Sequence, residues 1–302
     1  MAFSQITNLH VEAFDKEALV QRNPHAEFPA VEASRPDYDP SKFWEYSKTP
    51  KPNWKPGSGS ICDAWKSHTL IAIDPDSPNR TQNQNYKLMI SSTVPRPIAL
   101  VSTVSREGVH NLAPFSYFNT VSVDPPLYSV SFVGTEANDS LTNVLDSGEC
   151  CISIVSDWFL EAANMTSVNT PPHVSEWPLS GLHPVHSHMV KPPHVGESAF
   201  SIECHVHSTI PIYSQREVHD DGRKVRTATM VLFRAVMYHV RDDAINDRME
   251  TVDIGVLRPV WRGGGITYGS CFGGWETERP KAFRHLVEQE DVKAVLNQLQ
   301  VS

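Results

Sequence analysis

The sequence predicts a mainly β protein built as a barrel with a few short helices, and three observations carry that expectation. Apolar runs of strand length recur through the middle of the 302-residue chain. Turn-forming clusters separate them, and only brief helical patterns interrupt. One stretch, Pro95–Phe132, is lined with small polar groups where a plain core strand would carry Val or Ile. Many strands, few helices and a polar-lined segment favour a barrel over a parallel α/β sheet.

Taken in order, residues 1–85 read as an arm. Pro24, Pro29, Pro36, Pro40, Pro50, Pro52, Pro56, Pro75 and Pro78 exclude long helices there. Phe28, Tyr38, Phe43, Trp44, Tyr46, Trp54 and Trp65 are interleaved, whereas a flexible linker would carry Gly and Ser. The expectation is an extended arm packing on the body, its aromatics filling grooves, with a turn or two of helix at Ser41–Tyr46 capped by Ser41.

Residues 86–280 form the barrel domain. Strands are expected at Ala99–Val104, Tyr128–Val133, Cys151–Val155, Ala199–Thr209, Thr227–Val240 and Val252–Leu257. Turns fall at Ser105–Gly108, at Asp220-Asp221-Gly222 and around Arg241–Asp243. Helices are expected over Asp139–Ser147 and Asp157–Met165, the second with Asp157 as N-cap. In residues 281–302, Leu286, Val292, Val295, Leu296 and Leu299 keep mostly helical spacing, which predicts one amphipathic helix over Ala282–Leu299.

Composition narrows the function. With 26 Lys+Arg against 35 Asp+Glu the net charge is −9, a poor match for nucleic acid. Five cysteines without regular spacing read as reduced thiols, which places the protein in the cytoplasm. The N-terminus has no basic start followed by an apolar core, and no apolar run reaches the ~18–20 residues of a membrane span. No G-x-G-x-x-G opens a helix after a strand, and no G-x-S-x-G or H-E-x-x-H occurs. The histidines at 183, 186, 188, 194, 205 and 207 cluster as fourteen histidines will by chance, and no metal site is assigned.

Within Pro95–Phe132, Ser102, Thr103, Asn111, Ser116, Asn119 and Thr120 are hydrogen-bonding groups on rigid elements, as a flat, polar, phosphate-bearing ligand requires. Backbone amides at Ala113–Ser116, with Pro114 fixing a turn, would make an anion-facing nest. The same residues also suit a polar edge strand followed by the Asp124-Pro125-Pro126 turn.

The blocks PRPIALVST, NLAPFSYFNTVSVDPP, CISIVSDWFLEAANMTS and VLRPVWRGGGITY, in this order across residues 86–280, closely resemble the flavin reductase-like family of FMN-binding split β-barrels. The segment KTPKPNW with its Gly-Ser-Gly also resembles longer fungal-type members. The resemblance implies a homodimer with FMN near the dimer interface and hydride delivered by NADH or NADPH. The electrons would pass to a flavin, to oxygen or to a small-molecule substrate, or serve a partner flavin-dependent monooxygenase. It implies that Ser102 and Thr103 border the ring and ribityl chain, and that Asn111, Ala113, Ser116, Asn119 and Thr120 follow the polar side. Arg96 would supply a positive charge, and Arg262 and Tyr268 would flank the ring around the triple glycine. Where many relatives carry Lys-Asp-Thr, this chain has Asn138-Asp139-Ser140, so Ser140 keeps the hydroxyl and Asn138 loses the cation; a helix cap is the other reading of Asn138. Hydride transfer needs stacking and exclusion of water more than a protein acid or base, and no catalytic residue is assigned. The alternatives are a flavin carrier with little turnover and a reductase tailored to one pathway metabolite.

Overall fold

The β-patterned run from Phe200 to Val240 becomes the spine of the fold. In the computed structural model, which describes residues 28–299, it forms a hairpin of 19- and 17-residue strands. In chain order the helices are α1 (Phe28–Ala33), α2 (Gln82–Ser92), α3 (Asp139–Ser147), α4 (Leu160–Met165), α5 (Trp177–Ser180), α6 (Ile254–Leu257), α7 (Phe283–Leu286) and α8 (Glu290–Leu299). The first strands are β1 (Glu45–Tyr46), β2 (Arg96–Pro97), β3 (Ala99–Val104), β4 (His110–Phe115), β5 (Phe118–Ser122), β6 (Leu127–Val133) and β7 (Glu149–Ile154). There follow β8 (Pro184–Val185), β9 (His194–Val195), β10 (Phe200–Val218), β11 (Lys224–Val240), β12 (Val260–Arg262), β13 (Tyr268–Ser270) and β14 (Gly273–Gly274). None of the described helices is long and apolar enough to cross a membrane. The described residues divide into two compact units, 28–39 with 89–270, and 40–88 with 271–299.

The first unit holds a seven-stranded antiparallel sheet in the order β4-β3-β7-β10-β11-β6-β5. It curls on itself. Phe115 of β4 and Phe132 of β6, far apart in strand order, bring their rings to 4.7 Å, and Tyr117 O accepts the Ser131 N–H at 2.9 Å. The barrel core gathers Ala99, Val101, Phe132, Ile152, Ile202, Val231 and Phe233, closed by Leu141 and Val144 of α3. The alternate residues Leu100 and Leu112 face outward into a second cluster with Phe159, Ala163, Trp177 and Leu182. β3 is therefore buried on both faces, which is why its first half, residues 99–101, is apolar at consecutive positions rather than alternating. Each fully buried Phe contributes about 1.5–3 kcal/mol.

The Ser105–Gly108 turn closes β3 on β4, with Gly108 at φ 84° and its N–H on Ser105 O at 3.0 Å. β10 runs past Thr209 to Val218, whereas β7 pairs only with its residues Ser201–His205 and β6 pairs with β11 only over Ala228–Arg234. Among the described strands, the far end of the hairpin is thus a two-stranded ribbon in which β10 pairs with β11.

Several expectations need correction. Val252–Leu257 is not a strand: Asp253 caps α6, its Oδ1 accepting the Gly255 N–H at 2.7 Å, and only Val252 makes a bridge. Asp157 does not cap one helix. It opens a 3₁₀ turn before α4, and its carboxylate instead accepts from Tyr38 Oη at 2.8 Å and Arg258 Nε at 3.0 Å. α2 lies across the arm boundary, announced by a reciprocal Thr81–Gln84 capping box: Gln84 N–H on Thr81 Oγ1 at 3.2 Å, Thr81 N–H on Gln84 Oε1 at 2.9 Å.

Within the second unit, Ser41–Tyr46 holds no helical turn. Glu45 and Tyr46 pair in parallel with Gly273 and Gly274, where a Cβ on Gly274 would stand 2.4 Å from the Trp44 ring. The C-terminal helix is broken into α7 and α8, because Glu290 and Asp291 start a fresh first turn, where acidic side chains suit the helix dipole. Of the arm aromatics, Trp44 is half-buried and Phe28, Tyr38, Phe43, Tyr46, Trp54 and Trp65 are exposed.

Candidate functional site

β4 lies at an edge of the sheet, so part of its backbone must find partners outside it. Glu176, 4% exposed, supplies one: its Oε2 accepts the Leu112 N–H at 3.0 Å, and its Oε1 accepts the Thr170 hydroxyl. This carboxylate ties the segment after α4 to β4. Facing it, α3 begins. Asn138 Oδ1 accepts the Leu141 N–H at 2.8 Å, which leaves the N–H groups of Asp139 and Ser140 without an intrahelical acceptor. Ser140 Oγ accepts from Asn111 Nδ2 at 2.8 Å, which joins helix and strand.

Between these elements lies a pocket of about 180 Å³, lined by Asn111, Ala113, Pro114, Phe115, Asn138, Asp139, Ser140, Thr166, Ser167, Val168, Asn169, Thr170 and Glu176. The protons of three wall hydroxyls are already spent. Thr166 Oγ1 donates to Ala163 O at 2.8 Å, Ser167 Oγ to Asn164 O at 2.7 Å, and Thr170 to Glu176. These oxygens are left with lone pairs and can serve the pocket as acceptors. No described lining residue is Lys, Arg or His, while Asp139 and Glu176 are both carboxylic.

Of the residues singled out from the sequence, the pocket gathers Asn111, Ala113, Asn138 and Ser140. Asn138 is both pocket wall and helix cap. Ser102 and Thr103 are interior: Thr103 Oγ1 accepts from Asn143 Nδ2 at 3.0 Å, and Ser102 Oγ is buried without a partner. The Ala113–Ser116 backbone does not form the expected nest or turn, because β4 stays extended through Phe115, opposite Ala99, with Pro114 in the edge strand. Ser116 is half-buried just beyond it. Asn119 and Thr120 are exposed on β5, the other edge of the sheet order.

Arg96, Arg262 and Tyr268 form a separate group. Arg96 is 7% exposed and donates to three carbonyls: Ile90 O at 2.5 Å, Thr93 O at 2.7 Å and Gly263 O at 2.7 Å. It thereby fixes the end of α2 to the triple-glycine turn. Arg262 lies opposite Arg96 in the β2–β12 register, its guanidinium 4.2 Å from the centre of the Tyr268 ring. Burial raises the Tyr268 hydroxyl pKa, and that hydroxyl donates to Asn164 Oδ1 at 2.8 Å. Asn164 also accepts from Ser167, so this group buttresses the pocket wall.

Sequence reasoning did not single out Thr166, Ser167, Thr170 or Glu176. The Thr166-Ser167 pair ends one of the quoted blocks; Glu176 carries no local signal beyond an acid beside Trp177. A second buried acid, Glu203, is 0% exposed and accepts the N–H groups of His188 at 2.7 Å, Met189 at 2.5 Å and Val190 at 3.1 Å. His239 Nε2 meets it at 2.5 Å, and the His194 ring stacks on His239 at 4.3 Å.

Residues 91–253 match the flavin reductase like domain. An uncharacterized protein of Halalkalibacterium halodurans is 36% identical over 214 residues, covering 70% of this chain and 97% of that relative. Nitrilotriacetate monooxygenase component B from Bacillus cereus is 31% identical with a TM-score of 0.61, covering 71% of this chain and 100% of that one. The 2-nitrobenzoate 2-nitroreductase NbaA of Pseudomonas fluorescens is 25% identical with a TM-score of 0.60, covering 70% and 97%. A split-barrel protein of Shewanella frigidimarina, 19% identical with a TM-score of 0.55, shares the fold. These relatives are bacterial and bear on the family rather than on a fungal-type subgroup. A curled antiparallel sheet, a polar pocket at its edge and a domain match across more than half the chain agree: the protein belongs to the flavin reductase-like family and has its split-barrel fold.

Proposed function

We propose that this protein is an FMN-using oxidoreductase that accepts hydride from NADH or NADPH and hands the electrons to a separate acceptor. The observation that carries the reading is the pocket between β4 and α3, where neutral donors and acceptors converge in a chain of this family. The donor set fits the polar tail of a flavin. The free N–H groups of Asp139 and Ser140 can donate to it, the Ser140 hydroxyl and Asn111 amide can turn toward it, and the Thr166, Ser167 and Thr170 oxygens can accept from it. A bound flavin supplies the redox chemistry, taking up hydride and releasing electrons. The chain's task is to hold that tail, orient the ring it carries and exclude water.

The bacterial neighbours favour an acceptor outside the protein. One bears the name of a monooxygenase component and another that of a nitroreductase, so an oxygenase partner and a small organic substrate are the acceptor classes we propose. We further propose a homodimer working in the cytoplasm, where the five cysteines stay free, with the arm of residues 1–85, of which 1–27 lie outside the described residues, packing on the barrel. The longer, fungal-type character of the arm is part of the same proposal.

The test is the absorbance spectrum of the purified full chain with FMN, recorded anaerobically before and after NADH or NADPH. Bleaching of the flavin band is expected, and the faster nucleotide identifies the donor. No saturable flavin binding would overturn the reading, and binding without bleaching would leave a carrier.

A further inference from the structure

We propose that the pocket recognises the hydroxylated chain of a flavin and gains little from its terminal phosphate, so that riboflavin binds about as tightly as FMN. The inference rests on the flavin reading of the site.

A phosphate monoester carries about −1.5 to −2 charge at pH 7 and offers only acceptor oxygens. It needs cations or unspent donors. Among the described lining residues there is no Lys, Arg or His, and two carboxylates, Asp139 and Glu176, face the same space. Three of the wall hydroxyls are already committed, Thr166 to Ala163 O, Ser167 to Asn164 O and Thr170 to Glu176, and only the Ser140 hydroxyl, which accepts from Asn111, keeps its proton as a further neutral donor. What the committed three present is lone pairs. Asn138 spends its side-chain oxygen on the Leu141 N–H. The donors left over are neutral, chiefly the first-turn N–H groups of α3.

A ribityl chain has the complementary chemistry. Each of its hydroxyls can donate one hydrogen bond and accept others. An acceptor-rich wall opposite a few neutral donors satisfies such a chain at both ends of each hydroxyl, whereas a dianion would meet two carboxylates with only the partial positive charge of the α3 N-terminus to offset them. The charge balance of the wall therefore selects for the sugar-alcohol part of the ligand.

The experiment titrates the full chain with riboflavin, FMN and lumiflavin, which keeps the ring and lacks the chain, following flavin fluorescence at low and at moderate salt. Riboflavin and FMN are expected to agree within about threefold at both salt concentrations, with lumiflavin at least about tenfold weaker. FMN binding about thirtyfold or more tighter than riboflavin, with the advantage fading in salt, would overturn the proposal and reveal a cation from elsewhere. Lumiflavin matching riboflavin would also overturn it, because the chain would not be read. Failure of all three ligands to bind would instead overturn the flavin reading itself. Asn138→Lys adds the missing cation and removes the cap: FMN should gain about tenfold or more relative to riboflavin measured in the same variant, whatever the lost cap costs both ligands. Parallel changes in both ligands would count against the proposal.

Discussion

Glu176 and Leu112 are 64 residues apart in sequence, yet the carboxylate of one accepts the backbone N–H of the other at 3.0 Å. A buried side chain thus completes the hydrogen bonding of an edge strand that the sheet leaves open. The same carboxylate holds Thr170, so pocket wall and barrel edge share one anchor.

Glu176→Ala leaves the Leu112 N–H unpaired, at a cost of about 1–3 kcal/mol. A lower urea midpoint is expected, with flavin binding weakened at least about tenfold. Glu176→Gln retains an acceptor oxygen and should recover part of both. Unchanged midpoint and affinity in the Ala variant would remove Glu176 from the site.

Arg96 acts as a buried clamp on three carbonyls. Lysine cannot reproduce the planar fork. Arg96→Lys should destabilise by about 1.5–3 kcal/mol, the range for a lost hydrogen bond to a charged group. Equilibrium urea unfolding checks it; an unchanged midpoint would show that the clamp is dispensable.

Gly269 lies opposite Trp261 in the β12–β13 pair, where an added Cβ would stand 2.2 Å from the indole. Gly269→Ala should cost about 1–3 kcal/mol through overpacking and displace Tyr268 from Asn164. Thermal unfolding followed by tryptophan fluorescence would reveal both effects, and a wild-type Tm would contradict them.

Stability should fall with acid in two stages. For His194, burial and then the neighbouring His239 charge lower the folded pKa below its ordinary 6.5. The unfolded chain takes up that proton first, so stability drops as the pH falls below about 6.5. For Glu203, burial alone would raise the pKa, but the His188 N–H, the His239 ring and the Met189 N–H together outweigh it and hold it below 4.5. Its contribution is present above about pH 4.5 and disappears as the pH falls through the lower folded value. Urea midpoints at pH 7.5, 6.0, 5.0 and 4.0 would trace both stages, and His194→Asn should flatten the first alone. A pH-independent midpoint would exclude both linkages.

The barrel strands were legible because burial on one or both faces writes itself into apolar runs, as in residues 99–101 and 230–233. α2 carries its own signature in the Thr81–Gln84 box, although it follows a run of prolines that argues against helix. Val252–Leu257 misled because a four-residue apolar helix has too few turns to show a period, and the deciding feature is the Asp253 cap. The pocket was half legible. Asn111, Ala113, Asn138 and Ser140 lie close to a strand or helix end with its own signature. Glu176 reaches the site only through tertiary contact, and no local pattern encodes a carboxylate that will serve a strand 64 residues upstream. Thr103 looked like a ligand group because a buried strand can carry a hydroxyl when a partner such as Asn143 waits inside.

The unequal support along β10 makes one strand report on two events. Near Ile202 it is flanked by β7 and β11 and lies in the core, so its amides can exchange with solvent only when the whole barrel opens. Near Tyr213 it has β11 alone, and Ile210, Ile212 and Val218 stand in solvent. Amides there should exchange through local fraying. The protein carries an internal ruler of opening energies along a single run of backbone, its stiff end in the barrel and its soft end at the surface.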